Sequence, residues 1–455
     1  MATKLNREIY ICSVFFIAGL LSSIYFFANS PGVTIHDEIG HFLIAQNAWN
    51  YPELLLDPWG RFLNTLIFFV PSYWGLTAAR IMALTLSALS VFLTLRIAQN
   101  AGVQSWFLIP LFLWFQPWFL DSAFEVLTEI PFTLFLVLGI FLWQRNHFAL
   151  CALAFGALPL LRHEGIALTG ILFLFMAVQK KWRIALIAIL PLAFYNTLFF
   201  IVLKQWPFSI YLHSTPTEFY GEGAWWHYLP RVVYYAGLPV CLLSLVGLKT
   251  LWKNKENFIY FIAFITYFLI HVIIFHFGLY ASGGYSIFLL PLAPALAIAA
   301  SVGFDSLNQI FTERYAKKHY RKKFRFLEKQ FVTVLATLII AINGFMFARP
   351  HPLGEEAITM RDAAAWIQKN VPNAQKVISS HVYFFYFYNE QPWQPHESWD
   401  SPPPPDKLAS GSMVLWDRHY ASQRGINLDV LKKNPTEWEL LKSFNNDTAL
   451  LFRRR

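Results

Sequence analysis

The residues best placed to do chemistry stand near the N-terminus, in the stretch Thr34-Ile35-His36-Asp37-Glu38-Ile39-Gly40-His41. Two adjacent carboxylates there follow an apolar run, Ile9–Phe27, that contains no charge. Charge is costly to bring close to lipid, so the pair is either a solvated interfacial turn or a working group, and carboxylates commonly accept protons in catalysis. A zinc protease is excluded by spacing. Its motif sets two histidines four residues apart with Glu directly after the first, whereas His36 and His41 are five apart with Asp37 between them.

Further polar groups stand at the ends of apolar stretches. Arg80 opens one, and Leu161-Arg162-His163-Glu164-Gly165 is a charged break between two others. Asp121, Glu125 and Glu129 recur every four residues. One helix would gather them on a face that binds a sugar hydroxyl or a divalent cation, or that simply meets solvent. Glu129, which leads straight into an apolar run, is the strongest of the three. His163 and Glu164 are candidates to line the same cavity. Cys12, Cys151 and Cys241 lie inside apolar runs without metal-ligand spacing, so they read as small buried hydrophobes.

The elements that must position these groups are membrane spans. Of 455 residues, 56% are hydrophobic, 18% aromatic and 14% charged, against roughly a quarter charged in a soluble protein. Apolar runs near 9–28, 78–98, 105–120, 127–143, 148–161, 164–179, 183–203, 231–251, 257–276, 285–303 and 331–348 predict an α-helical polytopic membrane protein with about eleven transmembrane helices. The first run is longer than the apolar part of a signal peptide and reads as an uncleaved anchor, although Ala28-Asn29-Ser30 resembles a cleavage site.

Basic residues orient the spans. Threading from a cytoplasmic N-terminus (Lys4, Arg7) puts Arg145, Lys180-Lys181, Lys249, Lys253, Lys255 and the run Arg314 to Lys329 all inside. That run lies between apolar spans, which suits anionic lipid and not nucleic acid, despite a net charge of +9. The same threading places outside a long first loop, 29–77, the acidic turn, the Arg162 turn, the loop 204–230 and a C-terminal tail. The chain therefore divides into a transmembrane catalytic domain, 1–348, and a small external α/β domain, 349–455. In the tail, Glu355–Asn370 reads as a helix with Ile358, Ala365 and Trp366 at helical spacing. Lys376–Tyr388, with its aromatic run Tyr383–Tyr388, and Ser412–Trp416 read as buried strands, and Pro402 to Pro405 as an extended loop.

An Asp-Glu pair in a long first external loop resembles the GT-C superfamily of polytopic membrane glycosyltransferases, which includes protein O-mannosyltransferases, GPI mannosyltransferases and lipid A aminoarabinose transferases. His36-Asp37-Glu38 lacks the proline of the GPI enzymes' His-Pro-Asp-Glu. Thr77-Ala78-Ala79-Arg80-Ile81 is similar to the start of the superfamily's second span, and Arg162-His163-Glu164-Gly165 to its R-x-E-G turn. Ala281-Ser282-Gly283-Gly284-Tyr285, followed by Pro291 and Pro294, looks like the late segment, without the arginine often found after the Tyr. The resemblance implies sugar transfer from a polyprenyl-phosphate carrier to an extracytoplasmic lipid, glycan or protein, in the plasma or inner membrane, by an inverting single displacement.

Such a reaction needs a base for the acceptor and charge stabilisation on the departing phosphate. The resemblance gives the acceptor to Asp37, with Glu38 in support. Arg80 and Arg162 are suited to bidentate phosphate contact, or to interfacial anchoring. His36, Glu129, His163, Glu164 and Tyr285 would line the sugar cavity. The sequence assigns no cofactor and leaves a divalent cation open. The tail, with Trp393, Trp399 and Trp416, would select the acceptor. A transporter or flippase is the alternative, but it would show ionisable groups near the membrane midplane and paired repeats. A membrane acyltransferase would need a deep histidine with a partner, and His271 and His276 come closest.

Overall fold

The computed structural model describes residues 2–206, 220–253, 255–279, 282–316, 322–371, 377–389 and 402–455. Residues 207–219 of the loop 204–230, the middle of the basic run, Ala281, Lys376, Trp393 and Trp399 lie outside the described residues. The chain forms two units, one of Met1–Ala28 with Leu55–Pro350 and the other of Asn29–Leu54 with His351–Arg455. The acidic pair thus belongs with the C-terminal residues, whereas the sequence alone divides the chain at 348.

The first unit is helical. Leu5–Asn29, Leu76–Asn100, Trp182–Leu203 and Ser286–Ile310 are each long and apolar enough to cross a membrane. Tyr228–Ala236 and Leu238–Leu251 would make a further span, bent by 113°. The bend falls where Gly237 takes φ +82° and Pro239 removes a backbone donor. Shorter apolar helices run over Phe62–Tyr73, Glu129–Gln144, Phe148–Leu160, Gly165–Val178, Phe261–His276 and Val334–Phe347. With this apolar content the chain is an integral membrane protein.

One expected span is not a single helix. Residues 105–120 break into a 3-10 turn, Trp106–Leu108, and two short helices, Ile109–Trp114 and Pro117–Ser122. Pro110 and Pro117 each stand in a first turn, where a missing N–H costs least, so each starts a new helix. Trp114 is wholly buried, and Gly19 of the first helix lies so close that a Cβ there would overlap its ring. The face expected from Asp121, Glu125 and Glu129 fails as well, because the chain leaves the helix between them. Asp121 ends a short helix, Glu125 lies in the following bend, and Glu129 starts the next helix. All three are buried rather than solvated.

Without a hydrophobic drive between helices in lipid, close backbone approach and hydrogen bonds do the joining. Leu238–Lys253 and Ala293–Ala316 meet through Gly247 and Gly303, where a Cβ would run into the carbonyl of Ala299 or of Leu243. Ser244 donates to the Leu296 carbonyl at 2.9 Å beside them. Gly303→Val should therefore destabilise the protein by about 1–3 kcal/mol, read as a lower melting temperature in detergent. Gly170→Val, where the side chain meets nothing, should melt as the parent does. Equal melting of both variants would show that the glycines do not set this contact.

The second unit carries a four-stranded mixed sheet. Its strands are β1 (Val377–Ser379), β2 (Met413–Asp417), β3 (Trp438–Phe444) and β4 (Ala449–Arg454), in the order β1-β2-β4-β3. β1 runs parallel to β2, and the other pairs are antiparallel. Ile378, Val414, Trp416, Leu450, Phe452 and Trp438 are among its core.

Glu355–Asn370 is a helix, as its spacing predicts, but its inner face is Ala357, Met360, Ala363, Ala364 and Ile367. Ile358 faces out, because the small alanines permit closer packing than the larger residues. The aromatic run is not a strand: Val382–Tyr388 is a helix. His381 caps it by accepting from the Tyr383 amide at 3.3 Å. Tyr383 stacks on Phe387 and Phe384 on Tyr388, the four-residue pairing of a helix surface. These local contacts override the strand preference of aromatic residues.

Candidate active site

In the second unit, Asp37 and Glu38 open the helix Asp37–Asn47, where the positive end of the helix favours their charge. Glu38 is fully buried and Asp37 partly exposed. The helix rests on Val382–Tyr388 through Phe42 and Tyr386, ring centroids 6.0 Å apart.

His36, the residue before that helix, joins a cluster that no sequence pattern foretells. Glu356 Oε2 lies 3.0 Å from His419 Nδ1, 3.5 Å from His381 Nε2 and 3.6 Å from His36 Nδ1. Tyr420 Oη stands 3.2 Å from His36 Nδ1. The Asp417 carboxylate accepts from the amides of His419 and Tyr420 at 3.0 and 2.6 Å, which fixes the turn after β2. The imidazoles of His381 and His419 beside it hold Glu356 well below the usual carboxylate range, and the hydrogen bond to Glu356 in turn raises His419. Burial, with help from His381, pushes His36 down to about 4.

In the first unit, Arg162 follows the 3-10 turn Leu158–Leu160 and is almost fully buried. Its guanidinium pairs with Glu129 and, at 3.0 Å, with Glu164. Thr128 accepts from it at 3.1 Å, and the Phe288 ring lies 4.8 Å away. His271 Nε2 is 3.3 Å from Glu164 Oε1. Tyr267 stands one turn before His271 and donates to the Phe288 carbonyl at 2.7 Å. One cation thus serves two carboxylates in a buried setting. Gly165 makes the turn feasible, since a Cβ there would overlap the backbone of Leu158 and Pro159.

The remaining expected residues are dispersed. His163 contacts the Arg61 guanidinium. Arg80 is buried in Leu76–Asn100, 5.5 Å from the centre of the Phe124 ring. Tyr285 is half exposed, and its ring lies 5.8 Å from that of Phe288, which in turn lies against Arg162. Tyr267, Thr128, Glu356, His381, His419 and Tyr420 were not foreseen. A local signal existed for Tyr267 and His271, four residues apart inside an apolar helix. The histidines of the second unit are far apart in sequence, and only the fold collects them.

A buried arginine–carboxylate network among apolar helices, and an acidic pair set in an α/β unit, occur here on a fold that solved structures share. The chain shares that fold with ArnT, an aminoarabinose transferase, from Cupriavidus metallidurans. Against ArnT in the apo state the TM-score is 0.67, with 12% identity over 99% of this chain and 98% of that one. Against ArnT bound to undecaprenyl phosphate it is 0.62, with 13% identity and the same coverage. Of the superfamily members the sequence resembles, these neighbours are of the aminoarabinose type rather than the mannosyltransferase type. No protein-family model matches the sequence, and no curated protein matches it significantly.

Proposed function

We propose that this protein is a membrane glycosyltransferase that moves a sugar from a polyprenyl-phosphate carrier to an extracytoplasmic acceptor. The observation that carries the reading is the likeness of fold along the whole chain to ArnT, one of whose structures holds undecaprenyl phosphate. The Asp37-Glu38 pair supports it. Asp37 takes the proton of the acceptor hydroxyl as its oxygen attacks the anomeric carbon. The carbon–oxygen bond to the carrier breaks with inversion, and the polyprenyl phosphate leaves as an anion, so no strong general acid is needed.

Arg80 is our candidate for the phosphate. Arg162 is neutralised by Glu129 and Glu164, so its part is to hold those carboxylates and the turn that bears them. The N-terminus is cytoplasmic, and the Asp37 segment and the C-terminal residues face outside.

The test is a panel of radiolabelled polyprenyl-phosphate sugars offered to sealed vesicles of known orientation. Label should pass from at least one donor to an acceptor fraction, only where the external face is accessible. Carrier crossing the membrane with its sugar intact would instead establish the flippase alternative.

A further inference from the structure

We propose that His36, Glu356 and His419 form a binding site for one divalent transition-metal ion of the zinc type. One ligand atom from each lies within 4.8 Å of the other two. Zinc bonds of about 2.0–2.2 Å to imidazole nitrogen and carboxylate oxygen set tetrahedral ligand atoms roughly 3.4 Å apart. Closing on an ion therefore needs only side-chain shifts of about 1 Å. Two imidazoles with one carboxylate select zinc and its neighbours over calcium or magnesium, which prefer all-oxygen shells.

A second observation points the same way. His381 is 1% exposed, and its Nε2 faces the cluster, 3.5 Å from Glu356 Oε2. Because its Nδ1 accepts from the Tyr383 amide, the proton of the neutral ring is on Nε2. His381 Nε2, buried without a hydrogen-bond partner, therefore aims an N–H at the carboxylate and does not ligate; drawn in, it would give the supporting contact that metal sites usually carry. Asp417, through the two amides it accepts, does the same for the turn bearing His419. Tyr420 Oη closes a further side, and the half-exposed His419 leaves an entry path.

The ion would clip the start of the Asp37–Asn47 helix to the first turn of Glu355–Asn370 and to the end of β2. This is a positioning site beside Asp37, and it does not depend on which reaction the protein performs.

The full-length protein, purified without a polyhistidine tag and dialysed against zinc, should retain about one equivalent by elemental analysis. Adding zinc to chelator-treated protein should raise its melting temperature. His36→Ala, Glu356→Gln and His419→Ala should each lower retention at least tenfold, whereas His147→Ala, an exposed residue elsewhere, should keep it. His381→Ala should weaken affinity about 10- to 100-fold.

Cobalt(II) added to the unaltered, chelator-treated protein should give the visible bands of a four-coordinate ion, lost on adding zinc, a readout that no misfolded variant can confuse. Absence of those bands overturns the site. So does full zinc retention in His36→Ala and His419→Ala.

Discussion

Asp37→Asn should reduce sugar transfer by about 10²- to 10⁴-fold, the usual contribution of a positioned base, while the donor lipid still binds. The substitution keeps the shape of the side chain and removes its ability to hold a proton. Folding should be little affected. Asp37 is partly exposed in the first turn of its helix, where a charge contributes about 0.3–1 kcal/mol through the helix dipole. The measurement is single-turnover transfer from a saturating labelled donor, with donor capture assayed in parallel. Near-normal turnover would remove Asp37 from the mechanism. Loss of donor capture together with transfer would make it a binding group instead.

Arg162→Met should destabilise the protein by about 3–5 kcal/mol, because it strands Glu129 and Glu164 without their cation in a buried site. Removing both members of a pair costs less than removing one. Arg162→Met combined with Glu129→Gln should therefore recover part of the loss, and Arg162→Lys should fall between because it cannot fork to two carboxylates. Unfolding in a graded denaturing detergent, followed by tryptophan fluorescence, gives the comparison. If Arg162→Met unfolds like the parent, while donor use collapses, Arg162 is a phosphate ligand and not an internal anchor.

The apolar helices could be read from the sequence because lipid enforces a simple rule: some twenty apolar residues in a row make a helix. The rule failed at 105–120, where two prolines break one apolar run into pieces. It also missed Phe62–Tyr73, an apolar helix of 12 residues that falls short of that length. In the α/β unit, Glu355–Asn370 was legible but its buried face was not, since a helix of many alanines offers little periodic contrast.

For the candidate site, Arg162, Glu129 and Glu164 were each singled out as chemistry-bearing, yet their mutual pairing was invisible. It depends on how separate helices pack. The cluster of His36 with Glu356, His381 and His419 was hidden for the same reason over a much longer stretch of chain. The strand expected at Tyr383–Tyr388 failed because a histidine cap and stacking between neighbouring turns leave no trace in a composition pattern.

The grouping of Asn29–Leu54 with His351–Arg455 also bears on how the protein is made. The ribosome delivers the acidic pair early, and the C-terminal residues of its unit more than three hundred residues later. At about 5–20 residues per second, Asp37 and Glu38 wait roughly 15 to 60 s for the partners they fold with. The helix that bears the acidic pair is therefore packed only after His351–Arg455 has been made, and a ribosome that stalls before that segment leaves the helix without its partners.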